Sequence, residues 1–145
     1  MNEKAEQFQQ LLEALQITSF ETAEMPGPMH PVVFYSHLDI AKQLLRLQVI
    51  LDDSIYAVVR IYVAEGIVTG ARKYRTLKVL NEYNKQYKLF KYYITDEKDI
   101  VFECNLTVET DTFQPQRIRQ VIALADEHLQ KEYDALIDTV MGKKK

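Results

Sequence analysis

The alternation of residues 99–109 is the feature that most restricts how this chain can fold. Apolar side chains occupy every second position and polar side chains lie between them: Ile100, Phe102, Cys104, Leu106 and Val108 against Glu103, Asn105, Thr107 and Glu109. Successive side chains of a strand point to opposite faces of its sheet. The segment therefore predicts a β-strand with one face in a core and the other face partly in contact with water.

The residues that follow this strand predict a long helix. Residues 110–115 combine helix-capping side chains with Pro115, which suits a first helical turn. An apolar stripe at helical spacing comes next, through Ile118, Val121, Ile122, Ala125, Leu129, Tyr133, Leu136, Ile137 and Val140. Gly142 marks the end of the helix, and we expect residues 143–145 to form a frayed lysine tail.

Weaker patterns complete an α+β fold. We predict helices over residues 3–16 and 72–85, and strands over residues 17–24, 32–37, 43–51, 55–64 and 88–95. The resulting order is α-β-β-β-β-α-β-β-α, an antiparallel sheet with helices packed on one face. The predicted inward residues are Phe8, Leu11, Leu12 and Leu15 in the first helix, and Tyr74, Leu77, Leu80 or Asn81, and Asn84 in the second.

Length and composition predict one domain, residues 1–145. The chain is 47% hydrophobic and 27% charged, and a chain of this size can bury a core without cross-links. Its single cysteine, Cys104, cannot form an intramolecular disulfide. The first residues are polar and acidic, and no run approaches the roughly 20 apolar residues of a membrane-spanning helix. We therefore expect a cytoplasmic protein that makes no membrane contact.

The reactive side chains do not form a catalytic or metal-binding pattern. His30, His37 and His128 are widely spaced, and we expect them at the surface or at its boundary rather than as metal ligands. Cys104 falls on the apolar face of its strand, where a cysteine behaves as a small hydrophobic residue. The sequence therefore predicts a protein that is not an enzyme and that carries no catalytic residue, cofactor or metal.

One predicted strand offers a candidate surface for a protein or peptide partner. In residues 55–64 the alternation places Tyr56, Arg60 and Tyr62 on the face opposite the apolar one. Aromatic and arginine side chains are enriched in protein interfaces. The three residues are therefore candidate partner contacts, although the same pattern would arise if they packed under a helix.

A basic and aromatic segment offers an alternative, a nucleic-acid-binding regulator. Residues 72–91 concentrate positive charge among tyrosines, and the candidate contacts are Arg72, Lys73, Arg75, Lys78 and Lys85. Phosphates attract cations, and exposed bases stack on aromatic rings. Solvated helices often carry such residues for solubility alone, and the net charge of -3 gives no overall attraction for nucleic acid.

The segment Leu77-Lys78-Val79-Leu80-Asn81-Glu82-Tyr83-Asn84 resembles the helix-end motif of the YbjN-type family of bacterial sensory transduction regulators. The family pattern continues with two strands broken by an acidic turn and with a long closing helix, which matches residues 77–140. By itself, the asparagine pair Asn81 and Asn84 is typical of a helix end, because asparagine bonds to nearby backbone groups.

The resemblance implies a fold like that of class I type III secretion chaperones. It further implies a homodimer that binds an unidentified protein or peptide, in a chaperone-like or regulatory role. No catalytic residue of the family is carried over to this chain.

Overall fold

The structure, a computed structural model, describes residues 1–143. It contains three α-helices and six strands in the predicted order: α1 Glu3–Ala14, β1 Glu21–Glu24, β2 Val32–Ile40, β3 Gln43–Leu51, β4 Tyr56–Ala64, α2 Gly70–Gln86, β5 Lys91–Ile94, β6 Ile100–Thr107 and α3 Gln116–Met141. A short 3-10 helix, Thr110–Thr112, precedes α3. Lys144 and Lys145 of the predicted lysine tail lie outside the described residues.

The six strands form one antiparallel sheet in the order β1-β2-β3-β4-β6-β5. The first four strands follow one another in space as in sequence. α2 then carries the chain from β4 to the far edge, where β5 lies, and β6 returns between them. β1 and β5 are therefore the two edge strands, each only four residues long.

The hydrophobic core lies on one face of this sheet, as the alternation predicts. Most core-facing residues of β3, β4 and β6 are buried: Leu45, Leu47, Val49 and Leu51 in β3, Ala57, Val59, Ile61 and Val63 in β4, and Ile100, Phe102 and Cys104 in β6. Buried side chains of all three helices join the same cluster, including Phe8 from α1, Leu80 from α2 and Leu129 from α3. The predicted α+β fold is thus confirmed.

Three strands differ from the prediction by three or more residues at one end, and one of them, β5, begins at Lys91 rather than at residue 88. β1 begins at Glu21 rather than at residue 17, because the preceding residues return from α1 before they pair with β2. β2 continues past residue 37 to Ile40 and reaches β3 through a turn at Ala41 and Lys42. Both turn residues have positive φ angles, 49° and 64°, which asparagine and glycine adopt more readily than alanine and lysine.

The predicted inward face of α2 is wrong at Tyr74 and Leu77 and right at Leu80. Tyr74 and Leu77 are 79% and 49% exposed, whereas Thr76 and Leu80 are buried. Thr76 and Leu80 lie one turn apart, and the Thr76 hydroxyl donates to the carbonyl of Arg72 at 2.7 Å, so the polar group is satisfied inside its own helix. The helix therefore turns a small polar residue inward and leaves two large apolar residues outside.

The start of α1 is fixed to the rest of the chain by two polar side chains. Asn2 caps the helix by accepting from the N–H of Ala5 at 2.9 Å, and its amide donates to the carbonyl of Leu51 at 2.8 Å. Lys4 is 1% exposed, and its ammonium donates to the carbonyls of Ser54 and Tyr56. These bonds tie α1 to the β3–β4 hairpin.

Candidate functional site

The candidate partner contacts lie on the sheet face opposite the helices. Tyr56 is 50% exposed, and Arg60 and Tyr62 are half-buried, while Ala57, Val59 and Ile61 of the same strand point into the core. We call this surface the open face. It comprises the outward residues of strands β2 to β6: Val33, Tyr35, Arg46, Gln48, Ile50, Tyr56, Val58, Arg60, Tyr62, Tyr93, Val101 and Glu103.

The centre of the open face is apolar. Strand register places Val33 opposite Ile50 and Ile50 opposite Val58, so three aliphatic side chains form a row across three strands. Val33 is buried, and Ile50 and Val58 are half-buried. Aliphatic cross-strand neighbours stabilise a sheet, and those that stay partly exposed also offer apolar area to a partner.

An ion pair lies beside this row. Arg60 on β4 is opposite Glu103 on β6, and its Nε donates to the Glu103 carboxylate at 2.5 Å. The Tyr93 hydroxyl donates to the same carboxylate at 3.0 Å. The Arg60 and Glu103 side chains are only 27% and 14% exposed, so the pair is held at a fixed position in the face.

A second charged group is centred on Tyr62. The guanidinium of Arg46 lies 4.1 Å from the centre of the Tyr62 ring, which is cation–π distance. The same guanidinium donates two hydrogen bonds to Glu65, at 2.6 and 3.1 Å. Arg60 and Tyr62 therefore each have a defined neighbour on the open face, while Tyr56 is the most exposed of the three candidate contacts.

Two arginines of the basic segment are engaged in contacts within the chain. Arg72 donates to the carbonyl of Ile67 at 3.0 Å. Arg75 donates to the carbonyl of Val140 at 2.7 Å, next to Gly142, which ends α3 in the left-handed conformation with φ 75°. A cation at this end also complements the helix dipole. Arg75 thus links the end of α3 to α2.

The lysines of the segment point to solvent. Lys85 pairs with Glu82 one turn away at 3.1 Å, and Lys73 and Lys78 are exposed. The proposed nucleic-acid contacts therefore do not form one uniform surface, because two are engaged internally and three are solvated. Nucleic-acid binding by this segment stays a prediction.

Asn84 does more than mark a helix end. α2 ends at Gln86, one residue beyond the predicted end at residue 85, so the asparagine pair does lie at the end of the helix. The Asn84 amide pairs with the outer edge of β5: its Oδ1 accepts from the N–H of Tyr92 at 2.7 Å, and its Nδ2 donates to the carbonyl of Tyr92 at 3.1 Å. One side chain therefore takes the place of a neighbouring strand at this point of the edge.

His128 is buried, contrary to the expected surface or boundary position. It is 8% exposed and lies among rings of α2, of the residue that follows α2, and of β5 and β6: Tyr83, Tyr87, Tyr92 and Phe102. Its Nε2 is 2.7 Å from the Tyr92 hydroxyl. The Tyr83 hydroxyl donates to Glu132, one turn further along α3, at 3.0 Å. The only sequence signal for this position is its spacing of three residues from Ala125, within the apolar stripe.

We expect the burial of His128 to lower the free energy of unfolding at mildly acidic pH. Burial lowers the pKa of His128 below its usual value of 6.5, although the nearby Glu132 carboxylate opposes this effect. Above about pH 6.5 both the folded and the unfolded chain hold a neutral imidazole. Below it the unfolded chain binds the proton first, so the free energy of unfolding falls by up to about 1.4 kcal/mol per pH unit.

This effect is measurable by urea unfolding at several pH values between about 5.5 and 7.5. Replacement His128→Gln is expected to reduce the loss of stability on acidification relative to the unchanged protein. His37→Gln, which replaces an exposed histidine on β2, is the matched control. Equal pH dependence in His128→Gln and the unchanged protein would contradict the assignment.

Cys104 lies in the core, as predicted. It is 1% exposed, and burial raises the pKa of its thiol to about 11. A thiol with this pKa holds almost no thiolate near neutral pH. Among residues 1–143, no group of three or more histidine, cysteine or acidic side chains is arranged to hold a metal ion.

No helix in the described part of the chain has the length and apolar character needed to cross a membrane. No curated protein matches the chain. The family model of YbjN, described as "Putative bacterial sensory transduction regulator", matches residues 66–138, which is 73 of the 145 residues. The matched region contains α2, β5, β6 and most of α3, and therefore both Asn84 and His128. Since this match covers half of the chain, the protein belongs to the YbjN family.

Proposed function

We propose that this YbjN-family protein is a non-enzymatic module that binds another protein on its open face and acts as a homodimer. The observation that carries the proposal is the division of the sheet: the helices pack on one face, while the other presents an apolar row with fixed charged groups beside it. The homodimer and a chaperone-like or regulatory role follow the resemblance to class I type III secretion chaperones.

The composition of the open face supports recognition of a polypeptide. Apolar area removed from water contributes about 25 cal/mol per Å², and Ile50, Val58 and Tyr56 all retain exposed area. Tyrosine is a common anchor in protein interfaces because it buries a large ring at a small entropic cost. The buried Cys104 thiol, with its raised pKa, supports a function that needs no nucleophile.

The charged groups of the open face favour an apolar partner segment over a strongly charged one. The cations Arg46 and Arg60 are paired with Glu65 and Glu103, so little net charge is left to attract a partner. Fixed ion pairs at the rim of an interface mainly set orientation and specificity. We therefore assign the open face to an extended segment of another protein whose alternate side chains are apolar.

Substitution of Tyr56 tests this assignment. We expect the unchanged protein to sediment as a dimer at micromolar concentration and to bind an unfolded polypeptide, with reduced and carboxymethylated α-lactalbumin as the probe. Tyr56→Lys places an unpaired cation in the apolar surface and is expected to weaken binding of the probe about ten-fold or more. Sedimentation and fluorescence anisotropy measure the two properties.

Tyr74→Lys is the matched control, because Tyr74 is 79% exposed on α2 and lies away from the open face. It should bind the probe as tightly as the unchanged protein. A monomer would contradict the homodimer, and equal binding by Tyr56→Lys, or no binding by any of the proteins, would contradict the role of the open face.

A further inference from the structure

A cleft lies on the helix side of the sheet, away from the open face. It opens between residues 87–90, which lead into β5, and the middle of α3, and its volume is about 360 Å³. Phe90, Phe102 and Leu124 form apolar walls, and His128 lies at its lining. We call it the His128 cleft. Its size falls in the range of sites for small molecules.

His128, which lines this cleft, carries a buried polar atom that has no hydrogen-bond partner among the described residues. The residue is 8% exposed and its Nε2 bonds to Tyr92, but Nδ1 has no hydrogen-bond partner within residues 1–143. A buried polar atom without a partner costs about 1–3 kcal/mol, so such atoms are rare and call for an explanation such as a bound water, ion or ligand. This atom therefore distinguishes the cleft from an ordinary surface depression.

The bond to Tyr92 determines what Nδ1 can offer. Burial raises the pKa of the Tyr92 phenol, so the hydroxyl keeps its proton, and burial lowers the pKa of His128, so the ring is neutral. A phenol is a better donor than acceptor, and the Tyr92 hydroxyl donating to Nε2 leaves the ring proton on Nδ1. Nδ1 is then a hydrogen-bond donor, which a ligand would satisfy with an acceptor oxygen.

The charges around the cleft favour an anion. Lys88 and Lys131 line it together with one carboxylate, Glu127, so the lining carries a net charge of one positive unit at neutral pH. Both lysines are exposed and can move to meet a ligand at the mouth of the cleft.

Three aromatic rings form an apolar stack beside the cleft. Phe90 stacks on Phe102 with ring centres 4.5 Å apart and 20° between planes, and Phe102 stacks on His128 at 4.7 Å and 27°. The Phe102 ring therefore lies between the other two, so the three rings form an apolar stack rather than one planar wall. We propose that the His128 cleft binds a small carboxylate with an apolar body, with that body against Phe90 and Leu124 and the carboxylate toward Nδ1 and the two lysines.

Titration with 2-naphthoate tests the proposal, followed by ligand fluorescence and calorimetry on the full chain. A molecule of this size is expected to bind with a Kd on the order of 0.3 mM. Leu124 is 53% exposed, so Leu124→Trp fills the cleft with little effect on the fold and is expected to weaken binding about ten-fold. Leu15→Trp is the matched control, since Leu15 is 46% exposed on a different helix and should leave binding unchanged.

Two further measurements test the roles of charge and of His128. Lys131→Gln is expected to weaken binding of 2-naphthoate several-fold but to leave binding of the neutral 2-naphthylmethanol unchanged. The ¹⁵N resonance of His128 Nδ1 should report a protonated nitrogen that shifts on addition of 2-naphthoate. Absence of binding up to several millimolar, equal binding by Leu124→Trp, or equal affinity for the neutral alcohol would overturn the proposal, and none of these results would bear on the open face.

Discussion

Replacement of Phe8 by alanine is expected to lower the free energy of unfolding by about 3–5 kcal/mol. Phe8 is fully buried, and its ring packs edge-on against Phe34 of β2 at 4.9 Å and against Phe20 at 5.7 Å between ring centres. Truncation removes this burial and both aromatic contacts, and the β-sheet backbone beneath cannot collapse into the space.

This substitution tests how the two halves of the chain depend on each other. Phe8 lies outside residues 66–138, the part that matches the YbjN family, yet it belongs to the same core cluster as Leu129 of α3. We therefore expect one cooperative transition in urea, with the circular dichroism of the helices and the fluorescence of the tyrosines changing together. Two separate transitions would show that α1 unfolds independently of the rest of the chain.

Leu15→Ala is the control for Phe8→Ala. Leu15 follows the same predicted apolar stripe, but it is 46% exposed at the end of α1, so its truncation should cost about 1 kcal/mol or less. If the two substitutions had equal effects, the burial pattern of α1 described above would be wrong.

The part of the fold that could be predicted from the sequence is the part in which burial alternates with a single period. β3 was predicted with its observed bounds, and β6 to within two residues at each end, because one face of each is apolar and the other is polar. α3 was predictable for the same reason, since its apolar stripe runs for more than twenty residues. In such elements burial in the core determines the structure, and the spacing of apolar residues in the sequence indicates which residues are buried.

The elements that were predicted incorrectly are those in which residue type does not indicate burial or backbone conformation. The turn at Ala41 and Lys42 lacks the glycine or asparagine that positive φ angles favour, so the end of β2 was placed three residues early. In α2, exposed Tyr74 and Leu77 resemble core residues, while the inward Thr76 resembles a surface one. Tertiary packing overrides residue type at these positions.

Alternation placed Tyr56, Arg60 and Tyr62 on one face of β4, but their neighbours could not be foreseen. Glu103 reaches Arg60 from a strand more than forty residues later, and that pairing depends on β6 lying between β4 and β5. The position of His128 was predicted incorrectly for a related reason. Its environment is assembled from α2, β5 and β6, and nothing in α3 alone indicates that three tyrosines surround it.

Replacement Asn84→Leu is expected to lower the free energy of unfolding by about 2–4 kcal/mol. The leucine removes both bonds that Asn84 makes to the backbone of Tyr92, at 2.7 and 3.1 Å. Tyr92 is 4% exposed on an edge strand of only four residues, so its N–H and C=O lose their partners where water reaches them poorly. The cost is that of two unsatisfied backbone groups rather than that of a lost side-chain contact.

Two further variants separate this mechanism from a general effect of asparagine in α2. Asn81→Leu changes an exposed asparagine one turn earlier in the same helix, and we expect it to alter stability by about 0.5 kcal/mol or less. Asn84→Asp can still accept from the Tyr92 N–H but sets a carboxylate oxygen against the Tyr92 carbonyl, so its stability should fall between those of the leucine variant and the unchanged protein. Urea unfolding gives all three values. Equal losses of stability for Asn81→Leu and Asn84→Leu would show that the two asparagines act through helix propensity. A loss confined to Asn84→Leu would show that Asn84 stabilises the protein through its bonds to the edge of β5.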